Sequence, residues 1–317
     1  MNGKLAHLFA AGEFIVTTEL APPDSANPDD VLQRAAVFDG AVDAINATDS
    51  SGANCHMASL ATCVILKQHG YHPIMQMSCR DRNRIAMQGE VLGAAALGLR
   101  DIVFISGDGV QSGDHPGAKP VFDLDSISLI GIVKTMRDSG QYASGRKLTG
   151  RPDVFIGAVD NPFVPDMDFR VMRLAKKIAA GAQFIQTQYC FDVPVLKQYM
   201  AKVRALELHR QAAILIGVGP LASAKTALWM REHVPGIHIP DHIIARLAAA
   251  TDPKQEGRLI CREIMQALRD TDGVAGIHMM AYRQEECVPE LIRQSQILAQ
   301  RRMPCVTRNS VTDLITH

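Results

Sequence analysis

The sequence predicts a (β/α)8 TIM barrel, an α/β fold occupying residues 1–317 as a single domain, with extra helices near the eighth strand. Three observations point there. Short apolar runs with strand character alternate with longer segments of helical period, and the alternation persists almost to the end of the chain. The strand-like runs number eight, and each is followed by at least one helical segment. The length, 317 residues, suits a barrel of this kind.

Strands are expected over residues 14–20, 42–49, 72–79, 101–108, 153–160, 183–189, 212–219 and 274–281. Between them the helices carry their own start and stop signals. Asn27-Pro28-Asp29-Asp30 opens the first, with proline and acids where a helix N-terminus favours them. A helix over 57–68 stops at Gly70, an alanine-rich one covers 82–98, one over 126–137 stops at Gly140, and one over 166–180 stops at Gly181. Helices over 192–208, 223–233, 241–250, 255–270 and 289–301 complete the set. No repeat or low-complexity linker divides the chain. The softest stretch, 139–152, holds three glycines, and the β/α rhythm runs straight across it. Residues 304–317 form a C-terminal tail beyond the last helix, with no role legible in them.

Hydrophobic residues make up 47% of the chain and charged residues 21%, the composition of a soluble globular protein. The 33 basic residues balance the 33 acidic ones, so no global field attracts nucleic acid or an acidic membrane, and any anion must be held locally. Seven widely spaced cysteines with no C-x-x-C pair read as small buried residues in a reducing compartment. The N-terminus lacks a signal-peptide pattern and no apolar run approaches about 18 residues. A cytoplasmic location without membrane contact is the expectation.

In such a barrel the C-terminal ends of the strands carry the chemistry. The first strand ends in Thr17-Thr18-Glu19 before Pro22-Pro23, the second in Asn46, Thr48 and Asp49, and the third in Gln76 and Ser78. Strand four ends in Ser106-Gly107-Asp108-Gly109 and opens a long loop punctuated by Gly113, Pro116, Gly117 and Pro120. Strand five closes with Asp160-Asn161, strand six with Thr187-Gln188-Tyr189, and strand eight carries His278. Alternation groups Ile15, Thr17 and Glu19 on one face, and Ile102, Phe104, Ser106 and Asp108 on another, so that Glu19 and Asp108 are both expected in the mouth. Two carboxylates in one mouth suit acid/base and electrostatic work. Nucleophile-elbow, P-loop, H-E-x-x-H and G-x-G-x-x-G patterns are missing, which argues against a Rossmann nucleotide domain, and no metal site is expected.

With Glu19 before the diproline, Gly107-Asp108 on strand four, and Gly181-Ala182 leading to Thr187-Gln188, the chain resembles the flavin-dependent methylenetetrahydrofolate reductase family from about residue 14 to the eighth helix. The segments DHPGAKPVFDLDS, IPDHI and GIHMMA resemble its acetogen-like branch. The resemblance implies a non-covalent FAD across the strand ends, and an enzyme interconverting 5,10-methylenetetrahydrofolate and 5-methyltetrahydrofolate in one-carbon metabolism and methionine biosynthesis. It implies Glu19 as general acid, Asp108 beside flavin and pterin, and Gln188 as a substrate ligand. FAD contacts carry over to Thr48, Gly107, Asp108, Lys177 and His278, with Arg173 and Lys177 four apart on one helix face beside the diphosphate. Gln76 stands where many members have a flavin-contacting histidine, Ser106 where some have arginine, and Ala224 near a position where some use an aromatic ring. The resemblance leaves NADH, NADPH or a partner electron-transfer protein as donor, and implies a homo-oligomer. Another flavin or deazaflavin barrel acting on a reduced pterin, or a non-catalytic folate-binding barrel, are the competing readings.

Overall fold

A computed structural model describes residues 3–299. In chain order the elements are α1 (Lys4–Ala10), β1 (Ile15–Leu20), α2 (Pro28–Ala36), β2 (Ala44–Ala47), α3 (Ser59–Gln68), β3 (Pro73–Ser78), α4 (Arg84–Ala96), β4 (Asp101–Ile105), α5 (Ser126–Ser139), β5 (Phe155–Asp160), α6 (Met167–Ala180), β6 (Phe184–Tyr189), α7 (Val193–Ala205), β7 (Ala213–Val218), α8 (Ala224–His233), α9 (Asp241–Ala249), α10 (Pro253–Arg269), β8 (Gly276–Met279) and α11 (Val288–Ser295). All eight strands run parallel and close on themselves in chain order, β1 pairing with both β2 and β8. The β4–β5 pair forms across the glycine-bearing stretch 139–152, which holds one short bridge, Gln141 to Lys147. Three helices, α8 to α10, separate β7 from β8, and α11 follows. The tail 304–317 lies outside the described residues.

Polar side chains start the helices where the sequence suggests. Asn27, Asn83, Asp125, Asp166, Asp192, Ser223 and Asp252 each accept a hydrogen bond from a first-turn amide, which contributes about 1 kcal/mol apiece. Gly140 ends α5 in the left-handed region at φ 66°. Two helices stop earlier than expected because a residue turns left-handed: Glu207 (φ 53°) beyond α7, and Gln296 (φ 56°) beyond α11. Several strands are also shorter than expected. Asp49 does not extend β2, because its carboxylate accepts the Ser78 amide at 2.7 Å and takes the place of a ladder carbonyl.

Helix α1 is absent from the sequence expectation. Its Leu5 and Ala6 are buried against Ile15, Ala44, Ile74, Val103, Phe155, Phe184, Ala213 and Leu215, the inward residues near the N-terminal ends of the strands. The helix closes that end of the barrel, and burying Leu5 contributes roughly 1.5–3 kcal/mol. Phe155 and Phe184 stack at 5.3 Å in this layer, and Gly157 leaves the room: a Cβ there would sit 2.3 Å from the Phe184 ring. The same layer corrects the reading of strand four. Val103 points inward, whereas Ile102 and Phe104 pack in the outer cluster between barrel and helices. Parity groups the residues of β4 correctly and assigns the groups to the wrong sides.

Candidate active site

Above the apolar layer the barrel interior turns polar. Thr17, Asn46, Gln186 and His278 are at most 3% exposed, and each is satisfied by the others. Asn46 donates to Gln186 Oε1 at 2.7 Å and Gln186 Nε2 donates back to Asn46 Oδ1 at 3.0 Å, a reciprocal pair that orients both amides. Gln186 Nε2 also stands 3.2 Å from Thr17 Oγ1, and that hydroxyl stands 2.9 Å from His278 Nδ1. Gln186 Nε2 is also 3.3 Å from Nδ1, and in the tautomer in which Nδ1 accepts from these groups the ring N–H lies on Nε2. That nitrogen lies 3.4 Å from Glu19 Oε1. Gln76 Nε2 reaches the same oxygen at 3.4 Å.

Glu19 tops this network at the mouth, with 32% of its side chain exposed. An open cleft of about 550 Å³ spreads from it across the C-terminal strand ends. Ten candidates named from the sequence line that cleft: Glu19, Thr48, Gln76, Ser106, Gly107, Asp108, Arg173, Lys177, Gln188 and His278. They come from six different strand ends and one helix. Ala224 does not line the cleft.

The candidates differ in how they are held. Asp108 reaches the mouth on a loop, since β4 ends at Ile105 and Gly107 turns the chain at φ +88°. Its exposed carboxylate accepts the Gly52 amide at 3.1 Å. Ser106 is exposed beside it. Gln188 spends its amide oxygen on the Tyr189 amide at 3.0 Å, so its –NH2 remains to face the cleft. The Thr48 hydroxyl is buried without a hydrogen-bond partner, a polar group that a bound molecule would satisfy.

On the opposite wall Lys177 is 7% exposed, and it donates to Asp160 Oδ1 at 3.0 Å and to the Val159 carbonyl at 2.6 Å. Asp160 also accepts the Tyr199 hydroxyl at 2.6 Å. Burial first, and Asp160 second, hold the Tyr199 phenol well above its usual pKa, so that it stays a donor. Lys177 is thus a matched charge with one of its three N–H groups left over. Arg173 makes no ion pair among the described residues and faces the ring of Phe169 at 5.9 Å. Phe169 is 45% exposed and lines the same cleft.

Gln186, Arg80 and Phe169 are among the cleft residues that escaped the sequence reading. Gln186 was findable, because it shares the inward face of β6 with Gln188. Arg80 and Phe169 carry no motif; their roles come from what faces them. Among the described residues no group of three or more His, Cys, Asp or Glu is arranged to hold a metal ion, and no helix is long and apolar enough to cross a membrane. Cys63, Cys79, Cys190, Cys261 and Cys287 are buried and Cys55 is exposed. Burial pushes the Cys79 thiol up to about 11.

Residues 4–296 match the family described as methylenetetrahydrofolate reductase. Methylenetetrahydrofolate reductase 1 of Schizosaccharomyces pombe is 24% identical over 245 residues, which cover 75% of this chain and 38% of that protein. A probable methylenetetrahydrofolate reductase (NADPH) of Caenorhabditis elegans is 23% identical over 71% of this chain and 32% of its own length. The matched part of the chain therefore spans about a third of these relatives. Among solved structures, an uncharacterized Clostridium thermocellum protein that binds two copies of 5-methyl-5,6,7,8-tetrahydrofolic acid superposes with a TM-score of 0.64 at 16% identity, covering 92% of this chain and 98% of that one. The long-chain alkane monooxygenase LadA follows at 0.55 and 11% identity, covering 91% and 92%. At such identities the likeness is one of fold, an eight-stranded parallel barrel with helices outside.

Proposed function

Because the chain belongs to the methylenetetrahydrofolate reductase family, we propose that it is a flavin-dependent oxidoreductase interconverting 5,10-methylenetetrahydrofolate and 5-methyltetrahydrofolate. The observation that carries the reading is the convergence of Glu19, Asp108 and Gln188 on one cleft that also holds the unpartnered Thr48 hydroxyl. The cleft's donor set fits FAD: an orphaned buried hydroxyl, the spare N–H of Lys177, and Arg173, which has no carboxylate within ion-pair distance among the described residues. Thr48, Gly107, Asp108, Arg173, Lys177 and His278 would hold it, with Gln76 and Ser106 in the positions where relatives use other side chains. Bound there, FAD would supply the hydride that makes the methyl group.

The chain's own residues manage the proton and the charge. Glu19 gives its proton to N10 of the folate as the bridging methylene opens, leaving a cationic iminium at N5. Asp108 stabilises that cation with a carboxylate already oriented by the Gly52 amide, so no reorganisation is needed as the charge develops. The Gln188 –NH2 orients the pterin by a hydrogen bond to an acceptor on its ring. His278 and Gln76 act on one oxygen of Glu19 and keep the carboxyl at the mouth.

The test is anaerobic and direct. The purified protein is expected to bind about one FAD per chain, and the reduced protein to be reoxidised by 5,10-methylenetetrahydrofolate with formation of 5-methyltetrahydrofolate. A protein that takes up no FAD, or whose bound reduced flavin is indifferent to that folate, would overturn the reading.

A further inference from the structure

We propose that Arg80 is the positioning residue for Asp108, and that its guanidinium geometry, beyond its charge, sets how well the aspartate works. The inference rests on the role of Asp108 in the proposed reaction and adds a residue to it. Asp108 lies beyond the last ladder residue of β4, so no strand hydrogen bond holds it, and its side chain is exposed. A carboxylate in that situation samples many positions unless something else restrains it. What restrains it runs through Arg80.

Arg80 follows β3 by two residues and is 3% exposed although it lines the cleft. Its Nε and Nη2 both donate to Asp81 at 2.8 Å, a fork that sets the plane of the guanidinium. From that plane Nη2 donates to the Ser50 carbonyl at 3.2 Å, and Nη1 reaches the Asp108 carbonyl at 3.4 Å. The Arg80 carbonyl accepts the Val121 amide at 2.7 Å, near the far end of the loop that begins with Asp108. One residue thus touches the loop after β2 and both ends of the loop after β4.

The Ser50 contact matters because of what that segment does. Ser50, Gly52 and Ala53 are left-handed, at φ 51°, 65° and 62°, a conformation that serine and alanine hold only when their surroundings impose it. It is this segment that turns the Gly52 amide onto Asp108 Oδ2. Arg80 therefore grips both the donor segment and the acceptor residue of the hydrogen bond that orients the carboxylate. The approach is close: a Cβ on Gly107 would stand 3.1 Å from the Arg80 Cβ.

Lysine keeps the charge of arginine and loses the planar fork that serves Asp81, Ser50 and Asp108 together. That difference supplies the test. Arg80→Lys is expected to slow flavin reoxidation by 5,10-methylenetetrahydrofolate by about tenfold or more, with a thermal midpoint within about 4 °C of the parent. In the FAD-free protein, hydrogen exchange at the Gly52 amide is expected to accelerate, a readout independent of turnover. The double variant Arg80→Lys/Asp108→Asn is expected to be no slower than Asp108→Asn alone, since both act on one element. Should Arg80→Lys fail to fold, Asp81→Asn, at a side chain 43% exposed, loosens the same fork and carries the same expectations. Unchanged Gly52 exchange, or losses that multiply in the double variant, would overturn the role of Arg80. Unchanged reoxidation in Asp108→Asn alone would instead overturn the role of Asp108 on which the inference stands.

Discussion

His278 Nε2 stands 3.4 Å from Glu19 Oε1, and the Gln76 amide approaches that same oxygen, while no donor among the described residues reaches Oε2. Both contacts fall on Oε1, so Oε2 is the oxygen left for the cleft. If Glu19 is the general acid, Glu19→Gln keeps size and hydrogen bonding and loses the proton. Folate reduction should then fall by about 10² to 10⁴, while reduction of the flavin by its donor survives. Stopped-flow measurement of the two half-reactions separates these, and equal loss in both would return Glu19 to a structural role.

Asp108→Asn should slow folate reduction by about 2.7–4 kcal/mol if the carboxylate acts as one preorganised electrostatic group. Removing a negative charge beside the flavin should also raise its reduction potential. A redox titration beside the folate half-reaction checks both, and no change in either would leave Asp108 as a loop cap.

Gln186→Leu tests the buried network below the mouth. Gln186 is 2% exposed and its reciprocal partner is the buried Asn46, so leucine leaves the Asn46 amide unpaired at a cost of about 1–3 kcal/mol. Denaturant titration measures it. The variant should lose stability without losing secondary structure.

Asp101 predicts a pH dependence at the other end of the barrel. It is buried and one of its oxygens has no partner; burial raises its carboxyl from 3.8 to about 7. The folded chain therefore keeps a proton that the unfolded chain has released. Stability should fall as pH rises from about 4 to about 7, and the loss above that window should be about 4 kcal/mol at 1.36 kcal/mol per unit. Asp101→Asn should flatten this dependence and be more stable than the parent at pH 8, as read from unfolding curves at pH 5 and 8.

Gly276→Ala should destabilise the barrel closure itself. A Cβ at Gly276 would lie 2.0 Å from the Ile15 carbonyl oxygen, which belongs to the β1–β8 ladder and cannot move without opening the closure. A loss of about 1–3 kcal/mol or more is expected from overpacking, measured as a lowered unfolding midpoint.

The amino-acid sequence by itself determined the eight strands, their parallel order and, to within two residues, the starts of α2 to α11. These depend on local pattern: apolar runs, period, and a capping side chain within three residues of the amide it accepts. It also determined that residues from Glu19 to His278 gather at one end, because parallel strands bring all their C-terminal ends together. Tertiary structure alone decided the rest. Alternation along 101–108 says which residues share a face and is silent on which face looks inward; packing of Ile102 and Phe104 against the helices settled that. Helix α1 is short and earns its place from the barrel floor it covers, so its own seven residues carry little signal. The Thr17–His278 contact joins residues 261 apart, and Arg80 joins loops from three strands. Such pairings follow from closure of the barrel, which sets distances between residues that no local pattern relates.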